Sequence, residues 1–335
     1  MTPRQEELTR LIAAAEPTPF WLDQPDAPPV RRALRGDVAC DLAVIGGGFG
    51  GLWAALLAKE ANPGRSVVLV EGQRIGWAAS GRNGGFCEAS LTHGAANGRE
   101  RFPAEFGTLQ RLGAQNLDAI EAAIGKYGID CDFERAGSIT VATEDYQVAE
   151  LQAAAEADGT TFLDRDAVRA EVNSPTYLAG VWDGEGSAGV QPTRLAWGLA
   201  AACERVGVRI AERTPATGLA SDADGVTVRT RRGLLRARRV VLATNAFPSL
   251  VRRLRPYIVP VYDYVLVTEP LSPAQLAAIG WQNRQGVGDA GNQFHSAPRT
   301  AAGSPTRSAT PGSAWRRPGS APGSCSTCSA ASRPS

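Results

Sequence analysis

Short apolar runs alternate with helical patterns early in the chain, which is typical of a parallel βαβ unit. Residues 41–45 and 66–70 are predominantly apolar and predict two buried strands. Residues 51–60 between them predict a helix that ends near Pro63. Later in the chain, residues 196–206 predict a helix and residues 239–246 a further buried strand. We therefore predict an α/β fold built on a Rossmann-like domain with a parallel sheet.

The other segments with a helix or strand pattern predict a second, substrate-side part of α+β character, with a mixed or antiparallel sheet. These segments are interleaved in sequence with those of the first domain. Apolar residues at helical spacing predict helices over 105–124, 145–157 and 165–172. Strands are predicted there over 129–141 (two, turning at Gly137), 177–182 and 257–268. A hairpin predicted over 225–237, around Gly233, falls within the first domain.

Glycines follow the first predicted strand at a spacing that seats a dinucleotide. Gly46, Gly48 and Gly51 fit the pattern G-x-G-x-x-G, which allows a tight turn, a close approach to a pyrophosphate and close helix packing. The pyrophosphate then lies at the positive end of the helix. Glu71 ends the second strand, about 20 residues on, where an acid binds a ribose hydroxyl. The alternative is an ordinary βαβ unit that binds no ligand.

A second glycine-rich stretch, residues 72–86, is too rich in small residues to be a packed helix. A nicotinamide dinucleotide does not need such a loop, whereas FAD needs backbone donors along its ribityl chain and ring. The stretch therefore favours FAD, and an NAD(P)-dependent enzyme is the weaker alternative.

The chain from Val44 to Gly85 resembles FAD-dependent oxidoreductases of the D-amino-acid-oxidase family, most of all the γ-glutamylputrescine oxidoreductase branch. The resemblance is carried by the glycines, by Glu71, by Arg-Ile-Gly at 74–76 and by Ala-Ser-Gly-Arg-Asn-Gly-Gly at 79–85. It extends from about Phe20 to about His295, and residues 189–195 and 239–246 are similar to later family segments.

The resemblance implies which residues hold FAD, including the backbone near Ala216 for adenine and the strand end at Thr244 and Asn245. The implied cofactor-binding residues are Gly46, Gly48, Phe49, Gly50, Gly51, Glu71, Gly72, Arg74, Ser80, Gly81, Arg82, Asn83, Gly84, Gly85, Ala216, Thr244 and Asn245.

The resemblance also implies a reaction. An oxidase or dehydrogenase of this family moves a hydride from the carbon beside an amine to the flavin, and the imine then hydrolyses. The implied substrate is a small amine, such as γ-glutamylputrescine or an amino acid. Because a neutral amine needs no obligatory acid or base, no catalytic residue is assigned. The alternative is a truncated remnant that binds FAD without turnover.

Composition argues against several other classes of protein. The formal net charge of +1 gives no electrostatic case for nucleic acid or a membrane surface. No run reaches the roughly 18 apolar residues of a membrane span, and acids near the N-terminus do not fit a signal peptide, so we expect a cytoplasmic protein. Only two histidines, His93 and His295, are present, and no metal site is predicted. Cys87 follows the glycine-rich loop, either as a flavin thioether or as a buried filler.

The predicted domains are discontinuous, and the composition changes abruptly at Ser296. Residues 296–335 contain no Asp, Glu, Leu, Ile, Val, Phe or Lys, which predicts disorder and indicates a shifted reading frame. The domains are therefore an N-terminal extension (1–36), an FAD-binding domain (37–90 and 185–250), an incomplete substrate or cap domain (91–184 and 251–295) and a disordered tail (296–335).

Overall fold

The computed structural model describes residues 3–14, 18–261, 264–266, 271–291, 296–297 and 314–316. Its helices are α1 (Pro3–Ala14), α2 (Phe49–Ala61), α3 (Ala95–Arg101), α4 (Phe106–Tyr127), α5 (Asp145–Asp158), α6 (Arg165–Glu171), α7 (Pro192–Arg205) and α8 (Pro273–Ile279). Short 3-10 turns cover Ala79–Gly81 and Arg252–Tyr257. None of the helices in the described part of the chain is long and apolar enough to cross a membrane.

The strands follow the same chain order. They are β1 (Val38–Ile45), β2 (Val67–Val70), β3 (Phe86–Glu88), β4 (Ser138–Ala142), β5 (Thr161–Leu163), β6 (Ala179–Asp183), β7 (Ser187–Gly189), β8 (Arg209–Ala211), β9 (Ala216–Ser221), β10 (Val226–Thr230), β11 (Gly233–Leu242), β12 (Tyr264–Leu266), β13 (Gly286–Asp289), β14 (Ser296–Ala297) and β15 (Ala314–Arg316).

The larger sheet has the order β8-β2-β1-β11-β10-β9. Strands β8, β2, β1 and β11 are parallel, and β10 and β9 extend the sheet as an antiparallel meander. Helices α2 and α7 cover one face around Val44, Leu69 and Leu199, and a second cluster around Leu34 and Leu235 covers the other. The Rossmann-like parallel core and the β10–β11 hairpin predicted from the sequence are confirmed.

The second sheet has the order β14-β13-β4-β6-β5 and is mixed, as predicted. Strand β6 runs antiparallel to both β4 and β5, whereas β13 joins β4 in parallel. Its core is smaller, with Ile139, Val168 and Trp281 in one cluster and Leu151 in another.

Several predicted boundaries are wrong. Residues 129–141 do not form two strands: only β4 forms, and Glu134 makes an isolated bridge to Gly189 that uses the backbone groups a second strand would need. Helix α4 passes through Gly125 and ends at Gly128, which takes the left-handed conformation (φ +58°). Helices α3 and α8 lie where no helix is predicted; α8 begins with a capping box at Ser272.

The N-terminal extension and the predicted strand at 257–268 also differ from expectation. Helix α1 lies within the extension. In the later segment a 3-10 turn runs to Tyr257 before β12, because Pro256 and Pro260 cannot donate to a strand ladder. Residues 262–263 and 267–268 lie outside the described residues.

The disorder predicted for residues 296–335 concerns a range that lies mostly outside the described residues. Within it, β14 pairs with β13 and β15 pairs with β12. For the rest of the range, disorder stays a prediction.

Candidate dinucleotide site

Two glycines of the turn after β1 are required by neighbouring backbone. Gly46 has φ +114°, and a Cβ there would lie 2.3 Å from the carbonyl oxygen of Ala243. A Cβ at Gly51 would lie 1.9 Å from the carbonyl oxygen of Gly46. Since these oxygens belong to backbone that cannot move aside, larger residues are excluded at both positions.

Gly48 and Gly50 differ in the space around them. A Cβ at Gly48 would lie 2.8 Å from the Ser80 hydroxyl, which would have to shift, whereas one at Gly50 would meet nothing within 4 Å. Gly48 is also the N-cap of α2 and supplies no side-chain cap, while Phe49 N–H donates to the Ser80 hydroxyl at 3.0 Å. The turn therefore leaves an open helix N-terminus of the kind that binds phosphate.

Glu71 follows β2 and lies against this turn. Its Oε2 accepts the Gly47 N–H at 2.6 Å and its Oε1 accepts the Gln73 N–H at 2.7 Å. Burial raises the pKa of the Glu71 carboxyl above its ordinary value, and the nearby charge of Glu212 adds to the rise in pKa. A carboxylate has about four lone-pair sites, so two accepted bonds leave capacity for ribose hydroxyls.

The loop Ser80–Gly85 lies beside the turn, but its polar groups bind mainly to protein. The Asn83 amide donates to the Ala79 and Ser80 carbonyls at 3.1 Å and accepts the Gly85 N–H at 2.9 Å. Gly85 has φ +78° and accepts the Val190 N–H at 2.8 Å. Gly81 and Gly84 are buried.

The two arginines predicted at the site also contact protein. Arg82 donates to the Trp77 carbonyl at 2.8 Å and its guanidinium lies 4.8 Å from the centre of the Trp77 ring. Arg74 donates to the Pro28 carbonyl at 2.5 Å. Both arginines are therefore engaged in holding loops.

The later predicted positions lie next to the turn and to Glu71. A Cβ at Gly72 would lie 3.7 Å from Pro215, the residue before Ala216. Thr244 and Asn245 follow Ala243, whose N–H donates to Ile45 at 2.8 Å at the end of β1. The structure thus brings the glycine turn, Glu71 and the two later segments together at the carboxyl end of the parallel strands, the usual ligand edge.

Two buried groups at this edge were missed from the sequence. Glu212, which is 2 % exposed, accepts the N–H groups of Arg31 at 2.5 Å and Ile75 at 2.7 Å. Gln191, 5 % exposed, lies next to the Gly85–Val190 contact, and its Nε2 has no partner among the described residues. An acid directly after a parallel strand was the available signal for Glu212; nothing in the local pattern marks Gln191.

Cys87 and His93 follow the glycine-rich loop in the chain. Cys87 lies in β3 against the main core, and burial raises the pKa of its thiol to about 11. His93 is exposed in the loop before α3, with φ +56°. Among the residues described, no group of three or more His, Cys, Asp or Glu could hold a metal ion.

The fold and this edge define a dinucleotide-binding α/β protein, and comparison with known proteins identifies the family. The family model described as "FAD dependent oxidoreductase" (DAO) matches residues 41–313, so the chain belongs to that family. The predicted resemblance and the FAD cofactor of the family are confirmed. The roles of individual residues, and the cytoplasmic location, stay predictions.

Two relatives show what share of such a protein's length this chain covers. The chain is 34 % identical over 256 residues to γ-glutamylputrescine oxidoreductase of Escherichia coli, covering 71 % of this chain and 57 % of the relative. It is 31 % identical over 251 residues to the probable oxidoreductase OrdL of Haemophilus influenzae, covering 70 % and 56 %. The chain therefore spans less than two thirds of either relative.

Solved structures confirm the fold. Glycine oxidase from Geobacillus kaustophilus superposes with a TM-score of 0.62 at 18 % identity, covering 82 % of this chain and 72 % of that one.

Proposed function

We propose that this chain is an FAD-dependent oxidoreductase that oxidises a small amine or amino acid at the carbon bearing nitrogen. Family membership supports a flavin oxidoreductase, and the E. coli relative is named for γ-glutamylputrescine. The observation that carries the proposal is the glycine turn at the start of α2, where Gly48 supplies no side-chain cap and a Cβ at Gly50 would meet nothing within 4 Å.

The residues present fit the ADP part of FAD, which contains the pyrophosphate and a ribose. The pyrophosphate would be held by the N–H groups at the start of α2, and a ribose by the remaining lone pairs of Glu71. The unpartnered Nε2 of Gln191 is a further buried donor, next to the glycine-rich loop. Buried donors without partners are uncommon in native proteins, so a ligand is a natural acceptor for it.

Bound FAD supplies the hydride acceptor for the reaction. The chain's own residues bind and orient the cofactor, and none of them is assigned as an acid or base. The alternative, FAD binding without turnover, is an outcome of the tests below.

The first test identifies the cofactor. The purified protein is expected to show the visible absorption of oxidised flavin and, after heat release, to yield FAD on chromatography. NAD, or no ligand under any reconstitution condition, would refute the proposal. Glu71→Ala should weaken FAD binding by about 10- to 150-fold, because a hydrogen bond to a charged group contributes roughly 1.5–3 kcal/mol. The matched control is Glu150→Ala, an exposed acid on α5.

The second test addresses turnover. Anaerobic addition of γ-glutamylputrescine, simple amines or amino acids should bleach the flavin band, and peroxide formation in air would identify an oxidase. A flavin band that no compound of this panel bleaches would favour the remnant that binds FAD without turnover.

A further inference from the structure

The N-terminal segment 18–36, here called the strap, runs over the loops that form the proposed FAD site. Its first anchor is Trp21, which is 4 % exposed. The indole Nε1 of Trp21 donates to the Asn83 carbonyl at 2.8 Å, and the Trp21 carbonyl accepts the Thr193 hydroxyl at 2.5 Å. The strap thereby joins the glycine-rich loop to the first turn of α7.

The second anchor is the buried carboxylate of Glu212. It accepts one N–H from the strap, at Arg31, and one from Ile75 in the segment that follows Glu71. Arg74, the neighbour of Ile75, donates to the strap at the Pro28 carbonyl. A single buried side chain therefore fixes the distance between the strap and the Glu71 segment.

The third anchor reaches Glu71 itself. Leu34 N–H donates to the Thr214 hydroxyl at 3.0 Å, and Thr214 N–H donates to the Glu71 carbonyl at 2.8 Å. Gly76 N–H then donates to the Gly47 carbonyl at 3.0 Å, which connects the same segment to the glycine turn. Leu34 is fully buried, so this contact is shielded from water.

We propose that the strap is an integral part of the FAD site and that Glu212 is a positioning residue, which sets the geometry of the Glu71 segment through Ile75. This inference rests on the proposed FAD seat at Glu71 and the glycine turn. Because coupling between two sites is reciprocal, FAD binding must also hold the strap in place.

Variants of the first two anchors test whether the strap affects FAD affinity. Glu212→Gln keeps the shape but leaves one oxygen for two N–H groups, and we expect the dissociation constant of FAD to rise about tenfold or more, as for loss of a hydrogen bond to a charged group. The control is Glu150→Gln, an exposed acid on α5 in the other sheet region, which should change affinity by less than about fivefold. If Glu212→Gln fails to fold, Trp21→Phe, which removes the indole N–H but keeps an aromatic ring, is the substitute.

Limited proteolysis tests the reciprocal effect, that of FAD binding on the strap, without measuring activity. Arg32 and Arg35 of the strap are exposed, as is Arg165 at the start of α6 in the other sheet region. FAD should slow tryptic cleavage of the wild type after Arg32 and Arg35 but not after Arg165, and Glu212→Gln should lose most of that protection. A merely structural role of Glu212 would accelerate cleavage with and without FAD alike.

The outcomes separate this inference from the proposed function. If Glu71→Ala weakens FAD binding while Glu212→Gln and Trp21→Phe bind as the wild type does, the strap inference alone is wrong. Unchanged cleavage after Arg32 and Arg35 on FAD binding also overturns it. If Glu71→Ala binds FAD normally, the proposed seat itself is wrong.

Discussion

The glycine turn (Gly46–Gly51) and the glycine-rich loop (Ser80–Gly85) lie side by side, but they differ in how far their polar groups are hydrogen-bonded to protein. The turn begins a helix whose N-cap, Gly48, supplies no side-chain cap, and a Cβ at Gly50 would meet nothing within 4 Å. In the loop, Asn83 alone makes three hydrogen bonds within residues 79–85. We therefore expect the turn to offer groups to a ligand, and the loop to support the turn, in part through the Ser80 hydroxyl, which accepts the Phe49 N–H.

The largest expected effect is a difference in stability between variants of Gly51, where a Cβ would overlap backbone, and of Gly50, where it would not. Gly51→Ala should lower the free energy of unfolding of the apoprotein by at least about 3 kcal/mol or prevent folding, because its Cβ overlaps backbone. Gly50→Ala, with nothing within 4 Å, should be neutral or stabilise by up to about 1 kcal/mol. Urea unfolding measures the free energy of unfolding of both variants, and equal values would show that the two glycines do not differ in this way.

The next effect tests whether the loop is a scaffold. Asn83→Ala should cost about 1–3 kcal/mol of unfolding free energy, because three exposed or half-buried hydrogen bonds within the loop are lost. Asn62→Ala, which removes one bond at the exposed end of α2, should cost less. If Asn83→Ala left stability intact but abolished FAD binding, the side chain would contact the ligand instead.

Gly48→Ala sharpens the ligand side of the comparison. Its φ of −86° suits alanine, but the new Cβ would lie 2.8 Å from the Ser80 hydroxyl and would push it away from the Phe49 N–H. The free energy of unfolding of the apoprotein should therefore fall by about 1 kcal/mol, the contribution of one hydrogen bond. A pyrophosphate approaching the turn would meet the new methyl group, so FAD affinity should fall about tenfold or more. Calorimetric titration of the apoprotein with FAD measures this affinity. An affinity equal to that of the wild type would mean that no ligand approaches Gly48.

A smaller, pH-dependent effect is expected from Glu71 in the turn's neighbourhood. Its folded pKa is raised by burial, so ionised Glu71 disfavours the folded apoprotein. Below the unfolded pKa near 4.5 the effect vanishes; as the pH rises through the higher folded pKa, stability falls. Relative to Glu71→Gln, the wild type should therefore lose unfolding free energy as the pH rises above about 4.5, until Glu71 is ionised in the folded protein too. A difference independent of pH would contradict the raised pKa.

The smallest effect is expected at Cys87, just beyond the loop. With a pKa raised to about 11, its thiol should alkylate slowly at pH about 8, where roughly one in a thousand is ionised. Cys87→Ala should leave FAD affinity unchanged, and acid precipitation of the wild type should release all flavin into solution. Flavin that stays with the precipitate only when Cys87 is present would establish the thioether instead.

The sequence by itself determined the βαβ unit, the glycine turn and Glu71 at the strand end. These features depend on short-range patterns: strands are apolar runs, the helix follows at once, and the acid ends the second strand. The local pattern also distinguished the loop at 80–85 from a helix. It did not separate Gly51, which backbone requires, from Gly50, which nothing in the protein touches.

Only the tertiary structure decided which side chains support the site. Glu212 bonds to Arg31 across 181 residues and to Ile75 across 137, and Trp21 reaches Asn83 across 62. Arg82 and Arg74 match the family pattern in sequence, but their partners in the fold are protein carbonyls. A buried polar group is stable only with a partner, and when that partner is distant in sequence, no local periodicity can reveal it.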